Sequence, residues 1–477
     1  MATESNYMDT AIPPDKRYGV RHTQTLMMFL CLLMAYALRV NLSVGIVAMT
    51  DKKNANSDFV ELPWDQTLRG TILSSFFWGY IVTQIPAGMM SEKWGAKWLL
   101  AGSMGFCGLC TLLTPLAAIQ GGPVVMIITR VAQGLAQGFI FPSINAFMSK
   151  WAPPPERARL FSFAFSGCQF GNLITLPAAG LLAHSPLGWP SIFYVSGAAA
   201  LLWTVAWCYI GANSPARHKF ISLEERIYIE TSLVHSSTAS SSMKIPWKAI
   251  LTSMPVWAVV ISHFCENWGY WTLLTSMPSY INSVLGFDIK SNGFLSAAPY
   301  LAQWILIILF SWFADFILAR QFLSPNLARK MWNTIGLWGA GAALFALSYV
   351  GHSLVGAMLC LVIAVGINGA IYPGFMSNHL DLSPNFAGTL MGVTNGVANI
   401  ASILGPLVVG QVVTVSDSVT QWQLIFMIAA GVFFFGNLIF LIFGTSEVQP
   451  WNDSDYDGSK KKSCISVAQE IDLYDDF

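Results

Sequence analysis

The sequence predicts an all-α membrane protein of twelve transmembrane helices arranged as two halves of six. Three observations carry this. Charged residues are 10% of the 477-residue chain and hydrophobic residues 54%, whereas soluble proteins are about 25% charged. Apolar runs of about 20 residues, long enough to cross hydrocarbon as helices, recur twelve times. The longest polar insertion, roughly 211–255, falls between the sixth and seventh runs. No polar linker cuts the chain into soluble domains, and zero net charge without a basic, aromatic-interleaved helix excludes nucleic acid as a partner.

The runs, in order, are Leu26–Thr50, Gly70–Met90, Trp98–Ile119, Val124–Met148, Leu160–Leu182, Ser191–Ile210, Val256–Val284, Phe294–Leu318, Met331–Val350, Leu354–Phe375, Gly388–Val412 and Gln423–Phe443. The first follows Lys16, Arg17 and Arg21, as a signal peptide would. It is too long and lacks a small-residue cleavage site, so it is expected to remain as a span. The expected organisation is a tail over 1–24, a six-helix bundle over 25–212, a linker over 213–253, a second bundle over 254–444 and a tail over 445–477. The linker pairs a charged helical stretch, Ser222–Ser232, with a Ser/Thr-rich patch, Ser236–Ser242.

Lysine and arginine mark the cytoplasmic side of a span. With both termini cytoplasmic, nineteen of the 25 fall in inner segments and four (Lys52, Lys53, Arg69 and Lys290) in outer ones. The remaining two, Arg39 and Arg130, lie within spans, as does Glu266. A charge at the bilayer centre costs roughly 2.5–3.5 kcal/mol on insertion scales and persists where it faces a protein-lined cavity. Two cations and one anion in that position point to a charged solute. Guanidinium suits an anion, since it stays protonated and grips carboxylate or phosphate through paired hydrogen bonds; an arginine that only pairs with Glu266 to hold helices together is the structural alternative. Glu266 itself fits three roles: a sodium ligand, a proton carrier, or a counterion to an arginine. Tyr80, Asn267, Tyr270, Tyr372 and Asn395 are further cavity candidates or packing residues, and His263 and His379 are expected to be structural.

The two halves echo each other. Gly88-Met-Met-Ser-Glu92-Lys93-Trp-Gly95-Ala-Lys97 follows the second span, and Ser311-Trp-Phe-Ala-Asp315 follows the eighth, with Arg320 five residues past the acid as Lys97 is. Both resemble the loop signature of the major facilitator superfamily, whose parallel halves hold substrate between them near the midplane. Gly88, Glu92, Lys97, Asp315 and Arg320 are thereby expected to latch the cytoplasmic side, each acid pairing with cations of the neighbouring loop. Gly167-x-x-x-Gly171 with Pro177, echoed by Gly392-x-x-x-Gly396 with Pro406, fits close packing or a hinge.

Ser75-Phe-Phe-Trp-Gly-Tyr80-Ile-Val-Thr-Gln84-Ile-Pro86-Ala-Gly88, Arg130-Val-Ala-Gln-Gly134, Ser149-Lys150-Trp151-Ala-Pro-Pro-Pro155-Glu156-Arg157 and Asn378-His379-Leu-Asp381 resemble the anion:cation symporter family. That family contains sialin, the vesicular glutamate transporters and the type I sodium–phosphate transporters. The resemblance runs from about Thr25 to Gly444 and implies that Arg39 and Arg130 belong to the anion pathway. Three positions depart from it. Leu73 stands where the glutamate transporters have histidine, and Glu266 where they have arginine. Gln137 stands where proton-coupled members carry glutamate, and an amide does not titrate. Coupling is therefore expected to involve Gln137 and Glu266 differently, with sodium favoured over the proton.

Seven of the eight cysteines lie in spans and none in the large outer loop, so no disulfide framework is expected. Cys464, after Lys460-Lys461-Lys462, is either palmitoylated or a free thiol. No P-loop, zinc spacing or catalytic constellation occurs, so neither an enzyme nor an ATP-driven pump is expected, and no cofactor. The sequence thus predicts a secondary transporter of small anions, phosphate or organic, working with a coupling cation and in contact with membrane lipid. A sialin-type proton-coupled transporter of acidic sugars or amino acids and an anion channel are the alternatives, in the plasma membrane or an endolysosomal or vesicular membrane. The sequons at Asn41 and Asn452 are expected to stay unglycosylated.

Overall fold

The computed structural model describes residues 18–50, 58–64, 66–233, 245–285, 289–350, 353–415 and 418–453. Lys16, Arg17, Lys52, Lys53, Ser236–Ser242, Lys244, Ser454, Lys460–Lys462 and Cys464 lie outside the described residues, as does the side chain of Lys290.

Among the described residues there are seventeen α-helices, fifteen of which build the twelve spans. In the first half they are α1 (Val20–Thr50), α2 (Gln66–Trp94), α3 (Ala96–Gln120), α4 (Gly122–Gln137) with α5 (Ile140–Trp151), α6 (Arg157–His184) and α7 (Pro190–Ile210). Two short helices, α8 (Leu223–Leu233) and α9 (Trp247–Thr252), belong to the linker. The second half has α10 (Met254–Ser283), α11 (Ile289–Ala319), α12 (Pro325–Thr334) with α13 (Ala340–Val350), α14 (Leu354–Asn368) with α15 (Ser377–Leu382), α16 (Ala387–Val412) and α17 (Val419–Phe443).

Among the described residues, nine of these spans are long and apolar enough to cross a membrane. The other three, α2, α6 and α10, are 29, 28 and 30 residues long but more polar. The reason is physical: they carry Gln84, Gln169, His263, Glu266 and Asn267, which face protein rather than lipid.

Within each half the helices pack on one another, α1 against α6 and α2 against α4, then α10 against α16 and α11 against α14. The halves meet along two seams, α2 with α16 and α6 with α11. Glycine permits this approach: a Cβ on Gly88 would strike the backbone of Gly388 and Thr389, and one on Gly392 the backbone of Gln84. Gly167 and Gly171 do the same for α6 against α1, at Phe29 and Leu33. Gly167, Gly171 and Gly392 are thus packing devices, whereas a Cβ on Gly396 would meet only Gln84 Cβ at 3.7 Å. Gly95, between α2 and α3, has φ +88°, a conformation glycine adopts at no steric cost.

The tenth span is interrupted where the apolar run reads as uniform. After Asn368 the chain passes through 3₁₀ and π turns, with Gly374 at φ −85°, ψ −122°, before α15 continues to Leu382. The helix therefore runs seven residues beyond the Phe375 limit of the apolar run. Such interruptions mark functional sites more often than chance.

Candidate anion-binding cavity

A cavity with about 490 Å³ of empty space, its mouth included, lies between the halves. Its wall comes from α1, α2, α5 and α6 of the first half and from α10, α16 and the broken tenth span of the second. Arg39, Tyr80, Glu266, Asn267, Tyr270, Tyr372 and Asn395 all line it, so seven of the nine expected binding and coupling residues share one space.

Arg39 is 8% exposed. Three aromatic rings surround its guanidinium, with centroids 4.9 Å (Tyr36), 4.8 Å (Phe76) and 4.6 Å (Tyr80) from Cζ. Each such contact is worth about 0.5–2 kcal/mol. Nη2 donates to Gln137 Oε1 at 3.4 Å, and Nε makes no hydrogen bond among the described residues. Its charge is thus held by π faces and an amide, with no carboxylate in salt-bridge reach among the described residues.

Arg130 and Gln137 do not line the cavity. Arg130 Nη1 donates to Gln133 Oε1 at 3.0 Å and Nη2 to the Arg39 carbonyl at 3.4 Å, while its guanidinium lies 5.0 Å from the Phe76 ring. Gln137 Nε2 donates to the Ala35 carbonyl at 3.0 Å. Both residues hold α1 and the Arg39 side chain in place from behind.

Glu266 is 7% exposed and makes no ion pair among the described residues. Of the three roles open to it, counterion to an arginine is not what the structure shows.

Uncharged groups stitch the wall across the two halves. Asn395 Nδ2 donates to Tyr80 Oη at 3.1 Å and to Gln84 Oε1 at 3.0 Å, joining α16 to α2. Tyr270 Oη donates to Gln169 Oε1 at 3.2 Å and accepts from Asn172 Nδ2 at 3.3 Å, joining α10 to α6. Hydrogen bonds between neutral groups contribute about 0.5–1.5 kcal/mol each, little enough to exchange as the halves move. Sequence reasoning missed Tyr36, Gln169 and Asn399 as lining residues, and read His263 as packing although it lines the cavity too. The usable signal was helical spacing: Tyr36 stands three residues before Arg39 and Asn399 four after Asn395.

On the side away from the linker, Phe77 of α2 meets Trp271 of α10 edge to face, centroids 5.4 Å apart. The linker side is closed by polar contacts. Glu92 accepts from Thr389 N–H and from Thr389 Oγ1, both at 2.7 Å, and Asp315 accepts from Arg159 N–H at 2.8 Å. Thr389 and Arg159 each stand third in their helix, α16 and α6. Each loop acid therefore caps a helix N-terminus of the opposite half, where free N–H groups and the helix dipole attract an anion. This corrects the expectation that they pair with loop cations. Lys97 lies over Trp98 and donates its backbone N–H to Asn213, and Arg320 lies over Phe316.

A further latch went unassigned in the sequence. Asp381 Oδ1 accepts from Arg157 Nη1 at 2.9 Å and Oδ2 from Arg329 Nε at 2.7 Å, while Arg329 Nη1 donates to the Pro373 carbonyl at 2.8 Å. One buried carboxylate thus joins α6 of the first half to α12 and α15 of the second. Asn41 is buried in α1, donating to Ser196, and Asn452 Oδ1 accepts from Ser383 Oγ at 2.7 Å.

The comparisons agree with this architecture. The Major Facilitator Superfamily model matches residues 28–406. The chain belongs to that superfamily. Within it, the chain is 39% identical over 471 residues to a Drosophila melanogaster protein named "Putative inorganic phosphate cotransporter", covering 94% of this chain and 89% of that one. It is 37% identical to human sialin over 464 residues (93% and 92%) and 36% identical to human vesicular glutamate transporter 2 over 462 residues (95% and 78%). This places it in the anion:cation symporter family. Solved structures share the fold: the proton:xylose symporter XylE bound to 6-bromo-6-deoxy-D-glucose, with TM-score 0.71 at 15% identity, covers 91% of this chain and 98% of its own. The E. coli fucose:proton symporter FucP follows at TM-score 0.56 and 14% identity, covering 86% and 97%.

Proposed function

We propose that the chain moves a small anion across its membrane by alternating access of its two halves, with Arg39 holding the anion and Glu266 taking up the coupling proton. One observation carries the reading: a cation and a carboxyl group line the same buried cavity between the halves, and neither is ion-paired among the described residues. An unpaired guanidinium is a ready partner for carboxylate or phosphate. Two of the relatives' names, phosphate cotransporter and glutamate transporter, share an anionic solute.

The sequence favoured sodium. A proton needs one carboxylate and no further ligand, and Glu266 is the single Asp or Glu on the described wall. The proton is therefore the coupling ion. The Asp381 latch across the two halves on the linker side favours a carrier over an open channel. In this reading the linker and both termini face the cytoplasm, in keeping with the lysine and arginine bias, and the membrane is the plasma membrane or an endolysosomal one.

The test is uptake of labelled phosphate, sialate, glutamate and other small anions into proteoliposomes under an imposed proton gradient, and separately a sodium gradient. Accumulation of at least one anion under the proton gradient is expected. Accumulation under sodium alone would move the coupling role to that ion, and passive conduction without accumulation would establish a channel.

A further inference from the structure

His263 and His379 were expected to be structural, yet they share one hydroxyl. His263 Nδ1 lies 3.2 Å and His379 Nε2 2.8 Å from Thr394 Oγ1, and the two rings stand edge to face with centroids 6.2 Å apart. All three residues are buried. They come from three different elements, α10, α15 and α16. One end of this chain is the cavity, which His263 lines together with Glu266, one helical turn further along α10. The other end is the linker-side latch, since His379 and Asp381 share the six-residue helix α15.

The direction of every hydrogen bond in the chain follows from its far end. His379 Nδ1 lies 2.9 Å from the Met376 carbonyl, which can only accept, so Nδ1 carries a proton. In neutral His379 the bare Nε2 then accepts, and the Thr394 hydroxyl proton goes to it rather than to the Met391 carbonyl at 3.4 Å. Thr394 Oγ1 in turn accepts from His263 Nδ1–H. That leaves His263 Nε2 as the bare nitrogen of the residue that lines the cavity.

We propose that His263, Thr394 and His379 form a proton relay from the Glu266 cavity to the linker-side latch. The inference rests on the proton-coupled reading above. Glu266 in its acid form gives its proton, through water in the cavity that both residues line, to His263 Nε2 and becomes a carboxylate. The Nδ1 proton of His263 passes to Thr394 Oγ1 as the Thr394 proton passes to His379 Nε2. Thr394 ends unchanged, His263 ends neutral with its proton on Nε2, and His379 carries the positive charge. That charge appears two residues from Asp381, whose carboxylate Arg157 and Arg329 share. His379 then releases the proton on the linker side.

The charged groups around the relay are few. Glu266 lies on α10 and Asp381 on α15, with Arg157 reaching in from α6 and Arg329 from α12. Glu92 of α2, with Lys150 of α5 nearby, meets α16 at Thr389, and Arg39 of α1 stands across the cavity. Neither α16 nor α17 contains a charged residue.

Thr394→Val removes the hydroxyl at nearly constant shape, and Thr394→Ser restores it. In proteoliposomes, accumulation driven by a proton gradient should fall at least tenfold in Thr394→Val and return in Thr394→Ser. Counterflow exchange, which needs no net proton movement, should stay within twofold. Should the valine variant fold poorly, His379→Gln decides: its amide keeps an acceptor for Thr394 but takes no proton, and it should show the same split. Parallel loss of exchange and accumulation in well-folded His379→Gln, or full accumulation in it, would overturn the relay and leave anion transport standing. Absence of exchange in the unmodified protein would overturn the transport reading, and the relay with it.

Discussion

Asp381→Asn removes the single anion between Arg157 and Arg329 while keeping the shape of the side chain. In the structure the carboxylate takes Arg157 Nη1 at 2.9 Å and Arg329 Nε at 2.7 Å, with all three side chains buried. Breaking a buried pair by removing one partner costs about 3–5 kcal/mol, because the remaining charge is left uncompensated. Arg329 keeps its bond to the Pro373 carbonyl, so the lower end applies. Arg329 lies with Asp381 in the second half and Arg157 alone reaches it from the first, so the Arg157 part of the penalty falls on the linker-side-closed state. About 3 kcal/mol corresponds to a shift of about 150-fold toward the linker-side-open state. The readout is a distance distribution between spin labels at Lys93→Cys and Arg320→Cys, two exposed linker-side positions in opposite halves. Asp381→Asn should widen it, and Asp381→Glu, which keeps the charge, should widen it less. An unchanged distribution in a stable Asp381→Asn protein would refute the latch.

Three other outcomes are expected. Arg39→Ala should abolish transport of every anion with delivery to the membrane intact, and Arg39→Lys should restore only a fraction, since a point charge lacks the planar fork; normal uptake by delivered Arg39→Ala would remove it from the site. Glu92→Gln should weaken the α16 cap, where charge-assisted hydrogen bonds are worth about 1.5–3 kcal/mol, and so raise linker-side labelling without changing anion selectivity; no change in labelling would show that the cap does not hold the closed state. Asn452 should stay unglycosylated in a eukaryotic host, and a glycan there, read as an endoglycosidase-sensitive mass shift, would reverse the proposed orientation.

The fold was legible because hydrophobicity along the chain reports each span, and the polar insertion divides them six and six. What hydrophobicity does not report is which face of a helix a residue takes. Arg39 and Arg130 stood out equally as charges within apolar runs, yet one lines the cavity and the other braces it from behind. Gln169 was illegible for the opposite reason, since uncharged polar residues are common in spans. Long-range partners were hidden too. Glu92 reads as a loop acid beside Lys93 and Lys97, but its partner is a helix N-terminus 297 residues away. The break at Gly374 was masked, because its one signal, Pro373-Gly374, sits inside an otherwise continuous apolar run.

The most direct test is proton uptake on anion binding, read with a pH-sensitive dye on purified protein in weakly buffered detergent. The unmodified protein should bind about one proton for each anion. Glu266→Gln should still bind the anion but take up none, and Arg39→Ala should show neither. Proton uptake that persists unchanged in Glu266→Gln would contradict the account.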